Sequence, residues 1–347
     1  MRVSLNARPG AGPRAPVRGR LIAWSLACSL GATAAAAAAA PRVMTDILPV
    51  QSIVAAVMQG VGEPGVILPP GADPHSYALR PSDAQGLSDA DLVVWVGPDL
   101  THWLAGPIAS LAPRAVKLEI EDAPGITVLP VRADGPFEPD EHDHATGHAD
   151  GEHAEGEHDH AGSDGHGEEQ DHGEGRDGHL WLDPANAAAA ARDVAGSLAE
   201  LDPENAATYA ANAGRFGEEM QALAAEVKAR VAPLTGRPFL VFHDAYQYFE
   251  HAFGLPATGS VALQDGVEPG PARVAAIRER VSDGRIVCAF TEPEFSPKLM
   301  ATITEGTGLR TGTLDHLGAD IAPGPALYPA LIRGLAADLA ACLAPEG

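Results

Sequence analysis

The sequence predicts an α/β protein of two similar lobes with mainly parallel sheets, joined by a long helix. Three observations predict it. Short apolar runs alternate with amphipathic stretches, the pattern of βα units. The candidate strands fall into two sets, one in each half of the chain. Between the sets, the segment from Pro203 to Val231 reads as one helix, about 43 Å long at 1.5 Å per residue. That exceeds what a single α/β layer needs, so it reads as a spine; the alternative is two ordinary helices broken near Gly214.

At the start of the chain, residues 1–20 carry Arg2, Arg8, Arg14, Arg18 and Arg20 and no acid, and Leu21 to Ala40 are almost wholly apolar. This is the order of a secretory signal peptide spanning 1–40, cut between Ala38 and Pro41. The competing readings are an uncleaved anchor, since about 20 apolar residues can span a bilayer, and a lipid-anchored Cys28, whose "SLAC" lacks the leucine three residues before the cysteine. Cleavage leaves roughly 305 residues, enough for two domains with their own cores. No second apolar run is long enough to cross a membrane.

The first lobe, 41–200, contains the strand candidates "RVMTDI", "GVILPP", "DLVVWVG" and "AVKLEI". It ends in an alanine-rich helix, Pro184 to Glu200, with Asp183 placed to cap it. The linker helix occupies 201–232, and the second lobe, 233–347, contains "PFLVFH", "RIVCAF" and "RTGTLD". Inside the first lobe, 138–178 is a histidine and acid tract with no apolar periodicity; it cannot bury a core and reads as a disordered insertion.

Formal net charge is −24, and loss of the basic leader makes the mature chain more acidic still. Such a surface repels nucleic acid and attracts cations. Only Cys288 and Cys342 remain after cleavage. In an exported chain they read as one disulfide tying "RIVCAF" to the last helix, the alternative being two buried free thiols. No CxxC pair recommends them as metal ligands.

Histidine points to zinc chemistry, since three imidazoles and a fourth donor make a tetrahedral site. His75 in "ADPHSYALRPSD" and His243 in "PFLVFHDAY" follow apolar strands; His179 opens "HLWLDP", and Asp315 ends "RTGTLD". An isolated histidine after a strand is commonly a hydrogen-bonded loop residue. Four such residues from both halves can converge on one cleft, where open α/β sheets place ligands. His251 reads as solvent-facing and Asp73 as a turn cap. His102 and His316 read as surface residues, although either could line the cleft.

These stretches, with "ADLVVWVGP", "TEPEF" and "GTLDHLG" in this order and the histidine-acid insertion between, resemble the periplasmic zinc-binding proteins of ABC uptake systems over about Arg42 to Cys342. The resemblance implies two lobes joined by a rigid helix, metal between them and little hinge closure. It implies His75, His179 and His243 as imidazole ligands of Zn2+ and Asp315 as the carboxylate completing or approaching the site. Members with a glutamate before the first histidine have an alternative donor; here that position is Pro74, leaving Asp315, water or a tract histidine. It further implies a monomer that delivers zinc to a membrane permease with its ATPase.

Related manganese carriers present glutamate where this chain has His243, and three nitrogens suit zinc better than oxygen-preferring manganese. The tract's His142, His144, His148, His153, His158, His160, His166 and His172 are irregularly spaced among glycines. They offer many exchangeable chelates, and ordering them around one ion would cost chain entropy. They read as an auxiliary loop that gathers or senses zinc; the plain alternative is a solvated acidic loop. Other functions remain in view: a zinc buffer without a transporter, a carrier of Mn2+ or another divalent metal, an adhesin, or a zinc hydrolase. The sequence has no HExxH, and Glu292 and Glu294 are the first candidates for a base, or else hydrogen-bond partners within the second lobe. The expectation is a binding protein, not an enzyme.

Overall fold

A computed structural model describes residues 39–132, 175–262 and 269–345. The leader through residue 38 and the eight tract histidines lie outside the described residues. From Ala40 onward the chain forms one unit.

The first sheet contains β1 (Val43–Thr45), β2 (Gly65–Val66), β3 (Leu92–Trp95) and β4 (Val116–Glu119), all parallel, in the order β2-β1-β3-β4. Its helices are α1 (Leu48–Val57), α2 (Pro81–Asp89), α3 (Pro98–Thr101) and α4 (Ala105–Leu111). All four residues of β3 are buried, the continuous apolar run of a strand covered on both faces.

Next come α5 (Pro184–Leu201) and α6 (Ala206–Val231), which pack along each other. Asp183 caps α5 by accepting the Ala185 N–H at 2.8 Å. α6 is unbroken through Gly214 and Gly217, so the single-helix expectation holds, but it starts later than the Asp-Pro signal suggests. Pro203–Asn205 form a 3-10 turn, and Asp202 accepts the Asn205 amide and the Tyr209 hydroxyl at 2.7 and 2.8 Å.

The second sheet repeats the first. β5 (Phe239–Val241), β6 (Gly259–Ser260), β7 (Cys288–Thr291) and β8 (Arg310–Thr313) are parallel in the order β6-β5-β7-β8. α7 (Gln247–Phe253), α8 (Pro271–Ser282), α9 (Pro297–Thr304) and α10 (Leu327–Leu343) complete the lobe. β6, two residues containing glycine, left no strand signal in the sequence. Cys288 and Cys342 form a disulfide between β7 and α10, and closing its 54-residue separation contributes about 4 kcal/mol on the chain-entropy view.

α6 explains why the two lobes share one core. Its buried residues Tyr209, Ala213, Phe216, Met220, Leu223 and Val227 recur every three or four positions, giving one apolar stripe that packs on α1 of the first lobe and α10 of the second. Behind the cleft, α1 and α10 also touch directly. Ser52 donates to the Gly324 carbonyl at 2.7 Å and accepts the Tyr328 N–H at 2.9 Å, and Gln51 accepts the Gly324 N–H at 3.1 Å. A continuous apolar cluster from Val43 to Leu343 runs through this junction. Opening the lobes would expose it, so the back of the molecule is built for small displacements.

Candidate metal centre

Each histidine of the cleft is positioned by its own local device. His75 sits in the loop between β2 and α2, where Asp73 accepts the His75 backbone N–H at 2.9 Å and the Ser76 hydroxyl at 2.7 Å, an Asx turn. Trp103 pins the same loop by donating its indole N–H to the Pro74 carbonyl at 2.7 Å. Asp73 therefore caps the turn, as the sequence suggested.

His179 is 2% exposed. Asp177 Oδ1 accepts both its backbone N–H and its Nδ1–H, each at 2.9 Å. Gly178 is required beside it, because a Cβ there would lie 2.9 Å from the Leu100 backbone nitrogen. His243 follows β5 and is 1% exposed; its Nδ1 hydrogen-bonds Glu292 Oε2, and Tyr246 donates its hydroxyl to Glu292 Oε1 at 3.1 Å. In both residues the carboxylate fixes the proton on Nδ1 and leaves Nε2 as the lone-pair nitrogen, the arrangement of metal-binding histidines.

The structure brings these three together. One ligating atom from each of His75, His179 and His243 lies within 4.8 Å of the others, and the ring centroids are 5.3 to 6.2 Å apart. Nε2 of His179 is buried and has no hydrogen-bond partner among the described residues, so its lone pair is left for a ligand other than those residues. The donor set fits a borderline cation such as zinc.

Asp315 stands at the end of β8 but outside this trio. Its Oδ1 accepts the backbone N–H groups of Leu317 and Gly318 at 3.1 and 2.7 Å, bracing the turn. His102 and His251 are exposed. His316 is not a surface residue: it is 1% exposed, 5.1 Å from His243 and 6.0 Å from His179 between ring centroids, and stacked on Trp181. Burial, then the neighbouring imidazoles of His243, His179 and His75, push its pKa well below the usual histidine range. In "LDHLG" it sits beside the charged residue that attracts notice, and a single histidine after a carboxylate gave no signal of burial.

Sequence reasoning also missed two arginines. Arg176 donates to Asp99, Glu121 and Asp122, each at 2.7 Å, and Arg132 pairs with Asp244 and Glu250 at 2.8 and 3.0 Å. They stand at the two feet of the histidine tract, where Pro130 and Arg176 form an antiparallel bridge. Arg176 binds the first lobe and Arg132 the second, and Gln247 of α7 holds the stem by donating to Asp177 at 2.9 Å. Gly175 to Gly178, read from sequence as part of the tract, thus form an ordered stem that ends in His179. The available signal was one arginine at each border of a run otherwise free of them.

Two parallel α/β lobes of identical strand order, with imidazoles gathered at the strand ends, define a two-lobed binding protein. Residues 43–342 match the family described as zinc-uptake complex component A, periplasmic, and the chain belongs to that family. It is similar to the high-affinity zinc uptake system protein ZnuA of Brucella abortus strain 2308, with 46% identity over 305 residues covering 87% of this chain and 91% of that protein. The protein of the same name from Paracoccus denitrificans is 44% identical over 324 residues, covering 92% and 98%. In fold it is similar to a crystal structure of ZnuA with a TM-score of 0.70 at 23% identity, covering 88% of this chain and all of that one.

Proposed function

We propose that the mature chain captures Zn2+ in the periplasm and delivers it to the permease of an ABC importer driven by its ATPase, acting as a monomeric binding protein and not as an enzyme. The observation that carries the reading is the convergence of His75, His179 and His243, two of them with Nδ1 held by a buried carboxylate. Such imidazoles are preorganised ligands, and three of them with an open position suit zinc over oxygen-preferring cations. Asp315 is the second-lobe carboxylate that completes or approaches the site, with water or a tract histidine as the alternative fourth donor. The names of the curated relatives support zinc uptake as the role.

In this reading residues 1–40 are the leader, and the tract histidines His142, His144, His148, His153, His158, His160, His166 and His172 gather metal near the cleft without forming the principal site. Acidic surroundings raise the local cation concentration there. Competition titration of the mature chain against a zinc chelator tests the assignment: one site stands out as tightest, and it is lost in His243→Ala. Retention of that site in His243→Ala, with loss on removing the tract, overturns it.

A further inference from the structure

The cleft contains a second group of metal-competent side chains that zinc capture by the three histidines does not use. Ligating atoms of Glu292, Glu294 and His316 lie within 4.8 Å of one another. Glu292 and His316 are 3% and 1% exposed. Both ring nitrogens of His316, and both carboxylate oxygens of Glu294, are covered and lack a hydrogen-bond partner among the described residues. Leaving buried polar groups unpaired costs roughly 1–3 kcal/mol each, more when charged, so this corner of the cleft is built for something to fill it.

Its ring is also fixed in place. Trp181 stacks on His316 at 6.1 Å between centroids, and its indole N–H donates to the His316 carbonyl at 2.9 Å. Glu292 spans both groups, since its Oε2 holds His243 Nδ1 and its Oε1 accepts from Tyr246. The ring of His316 lies near those of His179 and His243, but it does not join them in the trio of mutually close donors. The two groups therefore adjoin across the His243–Glu292 pair and do not merge into one polyhedron.

We propose that Glu292, Glu294 and His316 form a second site for a divalent first-row cation, next to the three-histidine position and sharing the His243–Glu292 wall with it. One nitrogen and two carboxylates make it the harder donor set of the two, able to take Mn2+ or Co2+ as well as Zn2+. Two dications at neighbouring positions repel, so the second binds more weakly than the first. The proposal goes beyond zinc capture by the trio and is tested separately from it.

The test is anomalous diffraction from the full mature chain loaded with Co2+, paired with Co2+ titration followed by optical absorption and electron paramagnetic resonance. Two cobalt positions are expected in the cleft, the second appearing at higher metal and attenuating the resonance of the first. Cobalt held by the tract is distinguished by its position. Glu294→Gln, which keeps the side-chain shape, and His316→Asn each abolish the second cleft position and leave the first affinity within about threefold. A single cleft position at saturating Co2+ overturns the proposal. So does a loss of first-site affinity in Glu294→Gln as large as that in His243→Ala, because the residues would then belong to one site. Failure of zinc capture itself would instead show as an unaltered tightest site in His243→Ala.

Discussion

The two lobes pose the same structural opportunity and use it differently. In each sheet the chain leaves the two central strands in opposite directions, β1 to β2 against β3 to β4, and β5 to β6 against β7 to β8, which opens a crevice at their carboxyl ends where such folds bind ligands. In the first lobe Asp46 fills that crevice. It is wholly buried, and it accepts the backbone N–H groups of Ile47, beyond β1, and Val96, beyond β3, both at 2.8 Å. In the second lobe the corresponding ends present His243 and Glu292, bonded to each other. One crevice is closed by a carboxylate spent on backbone, and the other holds an imidazole against a buried carboxylate. Topology offers the location, and side-chain chemistry decides which of two like locations presents a side chain able to bind metal.

The strongest way to break that comparison is to alter both crevices. His243→Ala is expected to weaken the tightest zinc binding at least 100-fold. Asp46→Ala leaves two buried N–H groups without acceptors, at a cost of about 1–3 kcal/mol each, and should lower Tm by several degrees while zinc affinity stays within threefold. Chelator competition and calorimetry read the two effects, and equal loss of binding in both variants would show that the lobes are not functionally distinct.

Glu292→Gln asks how far the second crevice depends on the partner of its histidine. Removing an outer carboxylate from a metal-binding histidine typically costs 10–100-fold in affinity, and a loss in that range is expected here. An unchanged affinity would mean that His243 needs no fixed tautomer. A smaller effect on the tightest site is expected from deleting residues 134–173, which spares Arg176, Asp177 and the stem. Total bound zinc should fall and the highest affinity should stay within threefold; unchanged stoichiometry would remove the tract from metal binding.

The contrast between the crevices was only partly legible in the sequence. Seven of the eight strands were among the candidates, six of them as apolar runs, and His75, His179 and His243 stood out because each lies next to or just beyond an apolar stretch. β6 did not, because Gly259 and Ser260 have neither length nor hydrophobicity. Asp46 lay unmarked inside the strand candidate "RVMTDI", since its role depends on Val96, which is 50 positions away. The same holds for Arg132 and Arg176, whose partners come from both lobes, and for His316, whose burial is set by Trp181 from another segment. What is local in sequence was readable. What arises from packing between distant segments was not, and the clamp residues and the second metal group are of that kind.

The smallest expected effect concerns the carboxylates that, like Asp46, are buried for structure. Burial raises Asp46 to a pKa of about 6. Burial, aided by Asp99 in one case and opposed by Arg132 in the other, raises Glu121 and Glu250 to about 7. In the unfolded chain each returns to the ordinary carboxylate range near 4. Between those limits the folded chain holds protons that the unfolded chain does not. Stability from these groups is therefore fully present below the unfolded pKa and is lost as pH rises through the folded one. Lowering the pH from 8 to 6.5 should thus stabilise the metal-free chain by on the order of 1 kcal/mol through Glu121 and Glu250, which is about 2–4 °C in Tm. Below that range His316, whose pKa is pushed down by burial, acts in the opposite sense, because the unfolded chain then takes up the proton. Glu121→Gln with Glu250→Gln should remove the part of the rise between pH 8 and 6.5 that these two carboxylates give, leaving the part due to Glu294, which burial raises to about 8. A Tm that falls over this interval in the unsubstituted chain would mean that Arg176 and Arg132 keep both carboxylates ionised, so that the clamps are ion pairs throughout.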